Sequence, residues 1–315
     1  MRTKLKKFAK RIATRIIGRP ILGRSILLYH RIAEAEFDPF NIAVSPREFE
    51  RQLSTLRSKV VLPLQEFATL HLQSKLPRNA VAITFDDGYA CNALVAAPML
   101  QSLNYPATFF VVSDAIERAE EFWWDQLEFV FRAPEFDHGT AMHLLHVYSG
   151  EILERGVRRE SSSTANFLAI WAMLRRLSAP QRRKYLDDLR GRMELKAEMR
   201  QTHRPLTVAE LRALAANPLF EIGGHTVTHP SLPILTEVDQ EDEIVRGSRL
   251  LETMLGKPIR SFAYPFGDWL PVTREIVSHA GFKCAVTGVH RRVKRTDNKY
   301  AMPRRQAVNW YARTL

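Results

Sequence analysis

Two clusters of side chains in this 315-residue chain have the types and spacing of a metal site with a second carboxylate beside it. The first is Val81-Ala-Ile-Thr-Phe-Asp-Asp-Gly-Tyr89, an apolar, strand-like run that delivers two adjacent carboxylates, Asp86 and Asp87, to its end. Gly88 lets the backbone turn sharply there. Neighbouring residues on a strand point in different directions, so one carboxylate can bind a metal while the other takes a proton. Asp-Asp-Gly alone also suits an ordinary turn. It gains meaning from the second cluster, Phe220-Glu-Ile-Gly-Gly-His-Thr-Val-Thr-His-Pro230. His225 and His229 stand four apart, which places two imidazoles on one face of a helical turn. Pro230 ends or bends that turn. The competing reading is a capping turn with two partly exposed histidines. Two imidazoles and one carboxylate suit zinc or a similar divalent ion with one position left open.

Short apolar strands and amphipathic helices alternate around these residues, the pattern of a parallel α/β sheet. Strands are expected at 26–29, 60–62, 81–85, 107–112, 220–222, 260–264 and 283–287. Helices are expected at 46–57, 64–72, 91–103, 207–216, 236–255 and 271–280. Ser45 is a candidate cap for the first helix, with Pro46 in its first turn and Glu48 three residues after the cap. Residues about 115–205 form a mostly helical insertion that opens at Phe122-Trp-Trp-Asp-Gln126. Trp123 or Trp124 there is a candidate sugar-stacking platform, with core packing of the insertion preferred over that role.

Together the motifs resemble the polysaccharide deacetylase family, the chitooligosaccharide-deacetylase-like members of carbohydrate esterase family four. Thr84-Phe-Asp-Asp-Gly88 is similar to the family's first motif and His225-Thr-Val-Thr-His229 to its second. Ser261-Phe-Ala-Tyr-Pro-Phe-Gly267 resembles the third. The likeness covers about residues 25–113 and 206–310. It implies a distorted (β/α) barrel with fewer than eight regular strands and its site at the strand C-terminal ends. It further implies Asp86 as general base, Asp87, His225 and His229 as metal ligands, and a Tyr264 backbone N–H for the substrate oxyanion. The acid histidine usual near the family's C-terminal end lacks its setting at His279 and His290. A subset of these deacetylases carries the acid upstream in a Tyr-His strand like Ser25-Ile-Leu-Leu-Tyr-His30, which assigns it to His30. The arginine that usually orients the base is missing from the third motif, where Phe262 and Ala263 precede Tyr264. Met302-Pro-Arg-Arg305 can return one, with Arg304 preferred over Arg305.

The chemistry so implied is metal-assisted amide hydrolysis, with N-deacetylation of an acetamido sugar as the expected reaction. Zinc is the default ion, with cobalt and nickel close competitors. No Gly-x-Ser-x-Gly elbow points to a covalent intermediate. The resemblance also leaves two other enzymatic substrates open, a formamido sugar on a lipid carrier and a cyclic ureide, since relatives in this fold act on both. Non-enzymatic readings are a carbohydrate-binding protein with a decayed site and a basic membrane-surface adaptor.

The net charge of +12 is unevenly placed. Residues 1–24 hold nine Lys or Arg and no acid, which leaves about +3 on the rest. No zinc-finger, helix-turn-helix or RNA-recognition signature accompanies the high charge, so a nucleic-acid partner is not expected. Leu5, Phe8, Ala9, Ile12 and Ile16 recur at helical steps between the basic residues. Such a segment can lie on an anionic membrane through residues 1–20. The uncharged stretches within it are too short for a secretory h-region, so a cytoplasmic enzyme at the inner membrane face is expected. Cys91 and Cys284 are expected to be free thiols, and Cys91 is not counted as a ligand.

Overall fold

The computed structural model describes residues 23–149, 164–196 and 198–309. The basic segment expected over 1–24 therefore lies outside the described residues, apart from Gly23 and Arg24. Two compact units emerge: Met1–Arg118 with Pro205–Leu315, and Ala119–Arg204.

The first unit is a closed barrel of seven parallel strands. β1 (Ser25–Tyr29) is followed by the short pair β2 (Arg31–Ile32) and β3 (Ala43–Val44), which bond to each other. β4 is Val60–Val61, β5 Ala80–Phe85, β6 Ala107–Val111, β7 Phe220–Gly224, β8 Ser261–Ala263, β9 Cys284–His290 and β10 Met302–Gln306. The ring runs β1, β5, β6, β7, β8, β9, β10 and closes through β10 back onto β1, with β4 added beside the start of β5. β1, β5 and β6 are buried along their whole length, as expected when both faces of a parallel sheet are covered.

The alternation of side chains sorts the core into two layers. Ile26, Ala82, Phe110, Ala263, Val286 and Met302 cluster together, and small residues such as Ala82 and Ala263 suit a narrow barrel. Residues one step out of phase, such as Leu27, Ile83, Phe109 and Phe262, instead meet helix residues including Phe49, Leu53, Leu214, Ile244 and Leu251. The expected helix over 46–57 is Pro46–Ser54 with a 3-10 turn after it, and Ser45 accepts the Glu48 N–H as its cap. The helix expected over 91–103 is divided. A wide π turn spans Asn92–Ala96 and an α-helix spans Ala97–Ser102. Pro98 has no N–H to offer Leu94 and its ring crowds that carbonyl, so a regular turn cannot run through.

The strand that closes the barrel, β10, is absent from the sequence-based expectation. Met-Pro-Arg-Arg-Gln carries a proline and two charges and resembles a basic loop. The ladder to β9 shifts register between Met302 and Arg304, where Pro303 sits. Cys91 and Cys284 are both buried free thiols, and the Cys91 sulfur accepts the Ile32 N–H.

The second unit consists of helices Trp123–Arg132, His138–Ser149, Thr164–Leu174 and Ala179–Arg192. Its two chain ends are tied by Arg200, whose guanidinium reaches both oxygens of the buried Glu121 at 2.7 and 2.9 Å. No helix among the described residues is long and apolar enough to cross a membrane.

Candidate active site

The C-terminal ends of β1, β5 and β7 bring the two sequence clusters together. β5 ends at Phe85, and the Asp86 N–H bonds to the Tyr29 carbonyl at 2.9 Å. In the register of β1 and β5, Tyr29 lies opposite Phe85. His30 and Asp86 therefore follow at the same level of the barrel. Asp87 then adopts φ 74° and Gly88 φ 86°, a double left-handed turn. Positive φ is uncommon for a residue other than glycine and collects at functional sites.

Asp87, His225 and His229 are all buried, and one ligand atom from each lies within 4.8 Å of the others. The Asp87 Oδ1 stands 3.5 Å from both His225 Nε2 and His229 Nε2. That is long for an N–H to oxygen bond. It is close to the roughly 3.3 Å edge that a tetrahedral zinc imposes between ligands bound at about 2.0–2.1 Å. His225 Nδ1 lies 2.7 Å from the Ala263 carbonyl. Because a carbonyl only accepts, Nδ1 carries the hydrogen and Nε2 is left facing Asp87, the tautomer a metal ligand needs. Burial pulls the His225 imidazole down, but Asp86 and Asp87 outweigh it and hold it above its ordinary value. The donor set fits a divalent cation by type, spacing and excess negative charge.

Asp86 is 4% exposed and is gripped by an equally buried Arg304. Nη1 donates to Oδ1 and Nη2 to Oδ2, each at 2.6 Å. The guanidinium is itself fixed: Nε donates to the Thr287 carbonyl at 3.0 Å and Nη1 to Thr84 Oγ1 at 3.2 Å. Burial opposes ionisation of Asp86, but Arg304, with His225 and His30, prevails and holds the carboxyl below its ordinary value.

His30 lies partly exposed at the end of β1, with Nδ1 buried and without a hydrogen-bond partner among the described residues. Its carbonyl accepts from Asn92, in the π turn, at 2.7 Å. Burial lowers its imidazole below the usual value, and the nearby Asp87 and Asp86 recover only part of the shift.

Tyr264 is placed differently from the expectation, and Trp123 takes the packing role. The Tyr264 N–H already donates to the Val286 carbonyl at 3.2 Å, so it is not a spare donor for an oxyanion. Its ring belongs to the layer between barrel and helices, and its hydroxyl donates to the Tyr300 carbonyl at 2.8 Å. The β8–β9 ladder, invisible in a short local motif, claims that donor. Trp123 lies in the helical unit, stacked with Trp171 at 6.1 Å and covered by the Arg182 guanidinium at 5.2 Å. Its ring is engaged in that unit's packing.

One determinant is absent from the sequence-based set. The turn carrying both histidines is held by Glu243, on the helix Glu237–Leu255. Its Oε2 accepts the Val227 and Thr228 N–H groups, each at 2.9 Å, and Oε1 accepts the Thr228 hydroxyl at 2.7 Å. One helical turn on, Gly247 lets the helix lie against the same loop. A Cβ there would stand 2.7 Å from the Thr226 carbonyl carbon. Thr226 and His229 both have positive φ, at 68° and 56°, so the turn needs such support. A Glu and a Gly four apart on a helix are the only local trace of this role.

A closed parallel barrel with a buried Asp-His-His cluster at its strand C-terminal ends defines a (β/α)-barrel protein with a candidate metal centre. The family model described as polysaccharide deacetylase matches residues 73–149 and 192–285, more than half of the chain. The chain belongs to the polysaccharide deacetylase family. It is 21% identical over 282 residues to YxkH of Bacillus subtilis (strain 168), whose name places it provisionally among the polysaccharide deacetylases. That match spans 89% of this chain and 69% of YxkH. Among solved structures, the Streptococcus pyogenes deacetylase PplD, in complex with acetate, matches 91% of this chain and 93% of its own with TM-score 0.60 at 18% identity. IcaB from Ammonifex degensii matches 91% and 92% with TM-score 0.59 at 21% identity. These likenesses establish the distorted (β/α) barrel.

Proposed function

We propose that this chain is a metal-dependent hydrolase that removes N-acetyl groups from an acetamido-sugar glycan of the cell envelope, an exopolysaccharide or a lipid-linked precursor. The observation that carries the reading is the pairing of an Asp87-His225-His229 cluster with a separate carboxylate, Asp86, clamped by Arg304. Two carboxylates in one site with different partners can hold different jobs.

A divalent ion held by Asp87, His225 and His229, zinc by ligand type, supplies carbonyl polarisation and a more acidic attacking water. Asp86, kept ionised by Arg304, takes a proton from the water as its oxygen adds to the acetyl carbon. Arg304 keeps both carboxylate oxygens in one orientation, so the base points the same way in every turnover. His30, when protonated, gives a proton to the sugar nitrogen as the C–N bond breaks, releasing acetate and the free amine. Its place level with Asp86 on the neighbouring strand supports that role. An enzyme of this kind at an anionic inner membrane surface is consistent with the charge of residues 1–24.

The deciding experiment is acetate release from N-acetylglucosamine oligomers and an acetylated envelope-glycan mixture. Metal-loaded wild type is compared with Asp86→Asn at matched metal content. Release by wild type that collapses in the variant supports the reading. No release from either, with metal bound, leaves the lipid-linked precursor among the proposed substrates or points instead to a formyl group, and absence of both release and bound metal overturns the reading.

A further inference from the structure

The barrel carries a concave feature at the end opposite the candidate metal centre. A cleft of about 720 Å³ is lined by Arg24, Arg78, Arg291, Arg292, Lys294 and Arg295, with no carboxylate in its lining. Arg24 immediately precedes β1 and Arg78 lies just before β5, so both stand at strand starts. The chain after β9 returns to the same end, where the Val293 N–H bonds to the Arg24 carbonyl at 3.1 Å. Asp86, Asp87 and His30 follow the other ends of those strands. Five or six residues at about 3.3 Å each separate the two features by roughly 17–20 Å.

Some of these cations have structural duties. Arg24 donates to the Leu76 carbonyl at 2.6 and 3.0 Å. Arg291 forms a bidentate pair with Asp297, both bonds 2.7 Å. Arg78, Arg292, Lys294 and Arg295 are exposed, and none has a carboxylate within ion-pair distance among the described residues. Arg292 lies over Gly23, where a Cβ would come within 3.1 Å of its Nη1. The charge of Arg292 also helps hold the half-buried Arg305 guanidinium below its ordinary value, after burial itself. Uncompensated cations gathered around a cavity raise the local concentration of anions. Residues 1–22, which precede Gly23 in the sequence, contain eight more Lys or Arg and no acid.

We propose that this cleft binds a phosphate-bearing anion. Guanidinium forks match the oxygens of a phosphate, several can share one group, and Lys294 adds a point charge. The volume exceeds that of a single phosphate and admits a phosphoglycerol-sized group. Two sources present that chemistry, the headgroup of an anionic phospholipid and a free phosphate compound. With a headgroup in place, the barrel stands on the membrane by its strand starts and presents the metal centre away from the surface, toward a glycan chain rather than a buried lipid anchor. The binding assignment is independent of the reaction proposed above.

The test uses the full chain and its triple variant Arg78→Glu, Arg292→Glu, Arg295→Glu. Co-sedimentation is measured with phosphatidylcholine vesicles, with and without phosphatidylglycerol, and thermal stability with and without inorganic phosphate or glycerol phosphate. Phosphatidylglycerol-dependent sedimentation that falls more than about tenfold in the variant assigns a lipid headgroup. A rise in wild-type Tm with the soluble phosphates, lost in the variant, assigns a free phosphate compound. Equal behaviour of the two proteins, or no response of wild type to either probe, overturns the proposal. In particular, vesicle binding through residues 1–22 alone would survive the variant. Bound-metal content and circular dichroism should match wild type, and the milder Arg78→Gln, Arg295→Gln protein repeats the comparison if the triple variant does not fold.

Discussion

Arg304 holds Asp86 through two parallel 2.6 Å bonds, between residues 218 apart in the chain and both almost completely buried. The pair joins the strand that closes the barrel to the strand that carries the proposed base, so one contact serves both the fold and the chemistry.

Removing the guanidinium leaves a buried carboxylate without its cation. Arg304→Met is expected to destabilise the chain by about 3–5 kcal/mol in urea titrations. Asp86 titrates below its ordinary value in the folded state, so its contribution is full above the unfolded pKa and is lost as pH falls through the lower folded value. The stability gap between wild type and variant should therefore be widest above about pH 4 and narrow in stronger acid. The acid limb of any rate profile should move to higher pH in the variant. A gap unchanged down to pH 2 would contradict this account.

Metal binding should compete with protons at His225. Its imidazole is held above the ordinary value by Asp86 and Asp87 against the pull of burial, so the proton that a metal must displace persists to a higher pH than usual. Apparent affinity for zinc, measured by chelator competition, should weaken as pH falls and begin to do so above the usual imidazole range. A chelator should abolish hydrolysis and added zinc, cobalt or nickel restore it. His225→Ala or His229→Ala should not recover bound metal.

The loop bearing the histidines depends on a helix that supplies no ligand. Glu243→Gln puts an amide where three donors require acceptors, and Gly247→Ala drives a methyl into the Thr226 backbone. Each substitution should weaken metal affinity about 10- to 100-fold, the scale seen when outer support of a metal site is lost, because the turn between the two histidine ligands loses its anchor. Chelator competition on the folded variants separates this from general destabilisation.

His30 is held below the usual imidazole value, chiefly by burial. If its protonated form gives the proton to the leaving nitrogen, kcat should decline on the alkaline side with an apparent pKa below 6.5. His30→Gln should lower kcat by about 100-fold or more and remove that limb while leaving bound metal unchanged. A retained limb in the variant would assign it to another group.

Short-range patterns made much of the molecule legible from its sequence. The apolar run ending in Asp86-Asp87, the His-x-x-x-His turn and the Ser45 cap each depend on a few consecutive residues, and strand and helix periods depend on little more. Tertiary structure decided what depends on distant partners. Met302-Pro-Arg-Arg-Gln is a strand because the barrel needs a seventh member, and Arg304 can be buried there only because Asp86 is waiting. The Tyr264 N–H is taken by a neighbouring strand that its own motif does not contain. Glu243 is one acid among many on an exposed-looking helix until the histidine turn is folded against it. Local chain stiffness and periodic burial are written in adjacent residues. The pairing of a buried charge, or the satisfaction of a backbone donor, depends on which segments meet, and that is settled only when the barrel closes.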